Sequence, residues 1–224
     1  MGTSLRTIVY DIGRGAPGVK IEKKIKDANG NMVTSGEFID VPRKVKAVQI
    51  GGPSGGCIPE HLFDKVTLDF ESVQETGAIL GSGGLVVMDE KTCIVDVAKF
   101  FIKFSVDESC GKCTPCRIGN KKLLNILEKF SSGVARESNI EELEKLSRDI
   151  MQTSLCGLGQ SSPNPILSTI QHFRDEYVAH INGKCPAGMC FKKKPRYYIN
   201  EKCISCAKCV PVCPVDAIHR EGSQ

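Results

Sequence analysis

The chain has 224 residues, of which 41% are hydrophobic and 25% are charged, a composition that allows a buried core. Its net charge of +4 is small, its basic residues are spread out and it lacks tryptophan, which together argue against a nucleic-acid-binding protein. No apolar run approaches the roughly 20 residues of a membrane helix, and no segment near Met1 resembles a signal peptide. We therefore expect a cytoplasmic protein without a transmembrane segment.

Short strands are predicted in the first part of the chain. Four runs rich in β-branched or aromatic residues, at 7–10, 46–50, 66–70 and 85–88, indicate strands. Asn29-Gly30 is a typical two-residue hairpin turn, and it lies between further strand-like runs at 21–26 and 32–39. We assign residues 1–92 to one β-rich domain.

Four helices are predicted between residues 93 and 182, because apolar residues recur there at helical spacing. Serine and glycine at 131–133 end the second helix, and Pro163 suits the start of the fourth. Short connections between them imply a small antiparallel bundle. The four apolar faces comprise Val97, Phe100, Phe101 and Phe104; Leu123, Leu124, Leu127 and Phe130; Ile140, Leu143, Leu146 and Ile150; and Ile166, Ile170, Phe173, Tyr177 and Ile181.

Twelve cysteines are the outstanding feature of the composition. So many cysteines indicate either a disulfide framework or metal ligation. Thiols stay reduced in a chain that is not secreted, and several cysteines here follow the C-x-x-C spacing of metal ligands. Metal ligation is therefore the favoured interpretation, with disulfides as the alternative.

Three cysteines in the middle of the chain have the spacing of an iron–sulfur site. A chain that curls around a [4Fe–4S] cluster can place Cys110, Cys113 and Cys116 on three different irons. Cys156, which follows the third helix, is the candidate for the fourth iron. Structural zinc is the alternative, although zinc sites usually pair two C-x-x-C knuckles.

Segments around these cysteines match a known family. Residues 108–119 (ESCGKCTPCRIG) and 154–159 (SLCGLG) resemble the iron–sulfur domain of the NADH dehydrogenase flavoprotein subunit. Residues 51–57 (GGPSGGC) and 81–88 (GSGGLVVM) resemble more closely the beta subunit of NAD-linked, electron-bifurcating iron hydrogenases. The resemblance extends over nearly the whole chain.

The resemblance implies an α+β fold in three parts. These are a β-grasp-like ligand-binding domain over residues 1–92, a four-helix iron–sulfur bundle over 93–182, and a small ferredoxin-like tail over 183–224. Members of the family hold FMN and NADH in a preceding nucleotide domain, which we expect to be absent from this chain. Residues 13–18 (GRGAPG) are glycine-rich but fall inside the β-grasp portion, so we interpret them as a turn.

The resemblance also implies a function. We expect an electron-transfer module of an NADH-dependent oxidoreductase that is not catalytic alone and relays electrons between a flavin held elsewhere and other iron–sulfur carriers. Its expected partners are other subunits or domains of a redox complex, and a ferredoxin. The alternative is a non-redox scaffold with structural metal sites.

The tail contains a bacterial ferredoxin signature formed by Cys203, Cys206, Cys209 and Cys213. In two-cluster ferredoxins the fourth cysteine of such a run serves the other cluster. No second run follows in this sequence, so we predict a second cluster completed by Cys213 or by another chain. An empty site is the alternative.

A further set of ligands surrounds the predicted end of the fourth helix. His180, Cys185 and Cys190 are evenly spaced, and Cys93 before the first helix completes the four ligands that structural zinc requires. The alternative is a helix-end histidine beside reduced cysteines. Cys57 stands alone in a glycine-rich loop, and we interpret it as a buried, inert thiol.

Overall fold

A computed structural model describes residues 2–26, 32–191, 204, 206 and 208–210. The chain divides into two units, Met1–Phe191 and Lys192–Gln224. All strands and helices of the described residues belong to the first unit. No helix in the described part of the chain is both long and apolar enough to cross a bilayer.

The first unit combines strands and helices, which confirms the α+β class. Its strands form a two-stranded antiparallel hairpin, β1–β2, and a three-stranded antiparallel sheet in the order β4–β3–β5. In chain order the elements are β1 (Ala16–Lys26), β2 (Met32–Arg43), β3 (Val45–Ile50), β4 (Gly56–Pro59), α1 (Phe70–Glu75), β5 (Leu85–Asp89), α2 (Ile94–Asp107), α3 (Asn120–Ser132), α4 (Ser138–Thr153), α5 (Gly157–Ser161) and α6 (Asn164–Ile181).

The predicted strands are confirmed in part. The hairpin, β3 and β5 lie where the sequence indicated, and the turn at Asn29-Gly30 falls outside the described residues. The predicted strand at 7–10 is wrong, because Thr7–Ile12 is a π-helical turn. The predicted strand at 66–70 is also wrong: the Asp69 carboxylate accepts a hydrogen bond from Ser72 N at 2.7 Å, which caps α1 instead.

Strand β3 is largely buried on both faces and joins the sheet to the helices. Val48 and Ile50 pack in one apolar core with Ile58 of β4. Ala47 packs in a different core, with Ile94 of α2 and Phe173 of α6. A buried ion pair between Lys46 of β3 and Glu176 of α6 reinforces this junction. The sheet therefore holds the start of α2 and the middle of α6 in fixed positions.

Helices α2, α3, α4 and α6 share one apolar core. The predicted faces of α3, α4 and α6 contribute to it, but the predicted face of α2 is confirmed only in part, because Phe101 is buried and Val97 packs against a core residue while the other two residues are exposed. Phe100 is 65% exposed and Phe104 is 42% exposed, whereas Val95, Ala98 and Ile102 point inward. Apolar residues surround most of α2, so helical spacing alone did not identify its buried side.

A second π-helical turn, Pro115–Gly119, leads directly into α3. It contacts the end of α4 and the short helix α5 that follows. The start of α3 therefore lies close to the segment that follows α4. This junction of two remote parts of the chain contains four of the twelve cysteines.

Candidate metal centres

The first cysteine group begins in the loop before α3. Cys110 is exposed, Cys113 is half-buried and Cys116 is buried within the π-helical turn. Gly111 has a left-handed backbone with φ of 77°, and its carbonyl accepts a hydrogen bond from Arg117 Nη1 at 3.0 Å. These contacts bend the segment that carries the three thiols.

The second cysteine segment meets this bend. Cys156 is exposed and immediately precedes α5. The backbone N–H of its neighbour Leu155 is close enough to the Cys113 thiol to lower the pKa of that thiol. A Cβ on Gly159 would lie only 3.1 Å from the Cys116 Cβ, which shows how closely α5 approaches the buried cysteine. The structure therefore brings the segment that carries Cys156 against the trio.

Several features of this junction fit a [4Fe–4S] cluster. The backbone N–H groups of Leu155 and Cys116 lower the pKa of Cys113 and so favour the thiolate that ligation requires. Ser154 Oγ is buried there and has no hydrogen-bond partner among the described residues.

Two polar side chains contact Cys116 Sγ, and the sequence analysis missed both. Ser109 Oγ lies 3.4 Å from the sulfur and Asn120 Nδ2 lies 3.5 Å from it. A signal for Asn120 was present, because it follows Cys116 by four residues, about one helical turn. Polar atoms around a ligating sulfur influence the reduction potential of an iron–sulfur cluster.

Gly159→Ala is predicted to reduce iron binding although it removes no ligand. The added Cβ would lie 2.4 Å from Ser154 Oγ and 3.1 Å from Cys116 Cβ, so one of these groups must move. We expect the iron and sulfide content of anaerobically purified protein to fall at least about twofold, because ligand positions tolerate little displacement. Gly157→Ala is the matched control, since a Cβ there meets nothing within 4 Å. Equal iron in both variants would contradict the close approach described here.

A second group of ligands lies at the opposite end of α2. The ligand atoms of Cys93, His180, Cys185 and Cys190 all lie within 4.8 Å of one another. Cys93 precedes α2, His180 is in the last turn of α6, and the other two thiols follow α6. Three thiols and one imidazole are a donor set typical of structural zinc. The structure thus brings together the four residues that the sequence grouped.

The imidazole of His180 is oriented as in a metal ligand. Its Nδ1 lies 2.6 Å from the Glu176 carbonyl oxygen, to which it donates, and its Nε2 lies 3.3 Å from Cys93 Sγ. The ring is buried and packs against the Phe191 ring at a centroid distance of 5.6 Å. A backbone carbonyl on one ring nitrogen fixes the tautomer and directs the other nitrogen toward the metal.

Three of these four ligands have strongly shifted pKa values. A hydrogen bond from Cys190 lowers the pKa of Cys93 to about 4, and the resulting thiolate raises the pKa of Cys190. Burial lowers the pKa of His180, but hydrogen bonds to Cys93 and the Glu176 carbonyl outweigh it and raise the pKa to about 9. Without a metal, Cys93 is therefore a thiolate, Cys190 a thiol and His180 an imidazolium. A metal ion bound here would displace the protons of Cys190 and His180, because cysteine ligates as a thiolate and histidine as a neutral imidazole.

The remaining cysteines divide into a tail group and one buried thiol. Cys206 and Cys209 are exposed, while Cys203 and Cys213 lie outside the described residues. Cys57 is fully buried in β4, and burial raises its pKa to about 12, which fits the inert thiol predicted from the sequence.

Two family patterns match the chain. The iron–sulfur binding region of NADH-ubiquinone oxidoreductase-F matches residues 96–180, and the 4Fe-4S binding domain matches residues 196–219. The first match contains both segments of the helical cysteine group, and the second contains all four tail cysteines. Both matches support iron–sulfur clusters as the cofactors.

Relatives with these regions are subunits of redox enzymes. The NADP-reducing hydrogenase subunit HndC of Solidesulfovibrio fructosivorans is 45% identical over all of this chain, which covers 41% of that protein. An F-type subunit of the NADH-quinone oxidoreductase of Rhizobium meliloti is 42% identical over 64% of this chain and 34% of its own length.

A solved structure of an NAD+-reducing [NiFe]-hydrogenase in the H2-reduced state superimposes with a TM-score of 0.55 at 33% identity. The match covers 61% of this chain and 23% of the hydrogenase chain. The chain therefore spans less than half the length of each of these three relatives.

Proposed function

Because residues 96–180 belong to the NADH-ubiquinone oxidoreductase-F iron–sulfur binding region, we propose that this chain is an electron-relay module of an NADH-dependent oxidoreductase. Cys110, Cys113, Cys116 and Cys156 hold the first [4Fe–4S] cluster in this proposal. The observation that carries it is the approach of residues 155–159 to Cys113 and to the Cβ of Cys116.

The protein's own part in the relay is ligation and tuning. A bound cluster supplies one-electron chemistry, and the chain supplies thiolates, hydrogen bonds and burial that set its potential. Cys116 is buried, whereas Cys110 and Cys156 are exposed. Redox partners therefore approach from the side of Cys110 and Cys156, where the exposed side chains of Ile118 and Leu155 provide apolar contact surface.

The partners follow from the names of the relatives. The relatives are subunits named for NADH-quinone oxidoreductase and NADP-reducing hydrogenase, so we propose that this chain works within a comparable multi-subunit complex. FMN and NADH are then held outside this chain, and electrons pass onward to other iron–sulfur carriers, including a ferredoxin. The chain on its own is not expected to oxidise NADH.

We propose a second [4Fe–4S] cluster in the tail, at Cys203, Cys206, Cys209 and Cys213. The match of residues 196–219 to the 4Fe-4S binding domain supports it, as does the exposure of Cys206 and Cys209, which leaves both thiols accessible.

We also propose that Cys93, His180, Cys185 and Cys190 bind a structural zinc ion, which ties the segment after α6 to the start of α2. We further propose that residues 1–92 form a β-grasp domain and residues 93–182 a four-helix bundle, followed by the tail at 183–224. The antiparallel sheet and the apolar core shared by four helices support that division.

Reversible reduction tests the relay function. The full chain carrying Cys206→Ala and Cys209→Ala, which removes the tail cluster, is reconstituted anaerobically and reduced with dithionite. We expect an EPR signal of about one spin per chain that disappears on reoxidation and is missing when Cys113→Ala is added. Bound metal without a reversible signal would support the non-redox scaffold instead.

A further inference from the structure

The Cys116 sulfur has a different environment from the other proposed ligands of the first cluster. The residue is 4% exposed, whereas Cys110 and Cys156 are exposed. Its sulfur lies 3.5 Å from Nδ2 of Asn120, a residue that is itself fully buried in the first turn of α3. A hydrogen bond in such a low-dielectric interior is stronger than one at the surface.

We propose that Asn120 donates an N–H···S hydrogen bond to Cys116 that raises the reduction potential of the first cluster, and that Ser162 is the positioning residue that orients this amide. The inference rests on the proposed ligation by Cys116. Ser162 Oγ lies 2.9 Å from Asn120 Oδ1 and is fully buried. Its hydroxyl donates to Oδ1 and leaves Nδ2 facing the sulfur.

The opposite orientation of the amide is electrostatically unfavourable. Rotated by half a turn, Asn120 would place the Oδ1 lone pairs against the Cys116 sulfur. A ligating cysteine is a thiolate, which accepts hydrogen bonds and cannot donate one. Two acceptors would then face each other in the interior, at a free-energy cost comparable to an unsatisfied buried polar group. The amide N–H is therefore directed at the sulfur.

The same hydrogen bonds connect the two cysteine segments. Asn120 follows Cys116 by one helical turn, and Ser162 terminates α5, the helix that Cys156 precedes. The Ser162 backbone N–H bonds to the Leu158 carbonyl at 2.9 Å, which keeps its side chain in register with α5. The Asn120 amide is thus held from both sides, so its donor does not need to reorganise when an electron arrives.

The sign of the effect follows from charge. Reduction adds one electron to a cluster that four thiolates already make negative, and a hydrogen-bond donor stabilises the more negative state. Ser109 Oγ also lies near Cys116 Sγ, but its hydroxyl can rotate and it accepts a hydrogen bond from Gly111 N. Asn120, whose planar amide is held in one orientation, is the more persistent donor.

An EPR-monitored redox titration tests the proposal in the full chain that lacks Cys206 and Cys209. Asn120→Leu keeps the size of the side chain but removes the donor, and Ser162→Ala removes the orienting hydroxyl. At the wild-type midpoint we expect Asn120→Leu to reduce the ratio of reduced to oxidised cluster about tenfold, which is about 59 mV for one electron. Ser162→Ala should lower the reduction potential by less than Asn120→Leu does, and Asn120→Asp should lower it by more.

The controls separate tuning from folding and from ligation. Asn164→Leu also removes a buried amide, one that donates to the Ser54 carbonyl, and it should leave the potential unchanged. The iron content per chain shows which variants carry the cluster. If Asn120→Leu binds no iron, the potential of Ser162→Ala tests the inference. A reversible signal with the wild-type potential in every loaded variant would overturn the inference. Absence of any reversible signal in the unsubstituted helical site would instead contradict the relay function.

Discussion

Cys156→Ala is expected to lose the whole first cluster, about four iron atoms per chain. Cys156 is exposed before α5, so its removal opens no cavity and breaks no packing. A cubane that loses one of four protein thiolates has an iron open to solvent, and we expect it to disassemble during purification. Iron and sulfide analysis of the variant that also carries Cys206→Ala and Cys209→Ala measures this loss.

Cys57→Ala is the control for this result. Its thiol is fully buried in β4 and belongs to neither ligand group, and its backbone N–H bonds to Ser168 Oγ at 3.1 Å. The substitution should lower the free energy of unfolding by about 1–2 kcal/mol through the cavity it leaves, with no loss of iron. Iron that survives Cys156→Ala but falls with Cys57→Ala would contradict the proposed ligands.

Removal of zinc is expected to produce the largest loss of stability. A metal that binds only the folded state adds about 4 kcal/mol when free zinc is about 1,000 times its dissociation constant. For a chain of this size, that corresponds to a fall in melting temperature of about 8–16 °C. We expect a chelator to cause this fall in the wild-type chain, with the release of about one zinc per chain.

His180→Ala separates the metal from simple packing. The His180 ring is buried against Phe191, so its loss creates a cavity as well as a missing ligand. The variant should already have a low melting temperature, and the chelator should lower it no further. His172→Ala, which loses a contact of 3.0 Å to the Thr76 carbonyl oxygen, should still respond to the chelator. A wild-type chain that binds no zinc and ignores the chelator would refute the site.

Ligand chemistry identified from the sequence one group of residues that the structure brings together. The grouping of Cys93 with His180, Cys185 and Cys190 relied on ligand chemistry, and the structure places all four ligand atoms together. Such residues are recognisable because metals restrict both ligand type and ligand number. The polar contacts of Asn120 were not anticipated, since an amide has many ordinary roles and only packing shows what it touches.

Local patterns predicted the secondary structure less well where tertiary contacts dominate. Residues 7–10 have the composition of a strand, yet they form a π-helical turn that buries Val9 against the sheet core. At 66–70 the sequence did contain a correcting signal, because Asp69 is a typical N-cap residue. On α2 the exposed Phe100 could not be distinguished from buried neighbours by spacing, since residues on several sides of the helix are apolar.

The arrangement of two remote cysteine segments around one cluster can be observed directly. An iron anomalous-difference map from crystals of the anaerobically purified full chain locates the metal independently of activity. The account predicts a density peak enclosed by the thiols of Cys110, Cys113, Cys116 and Cys156. A map with iron elsewhere in the chain, and none between these four sulfurs, would contradict it.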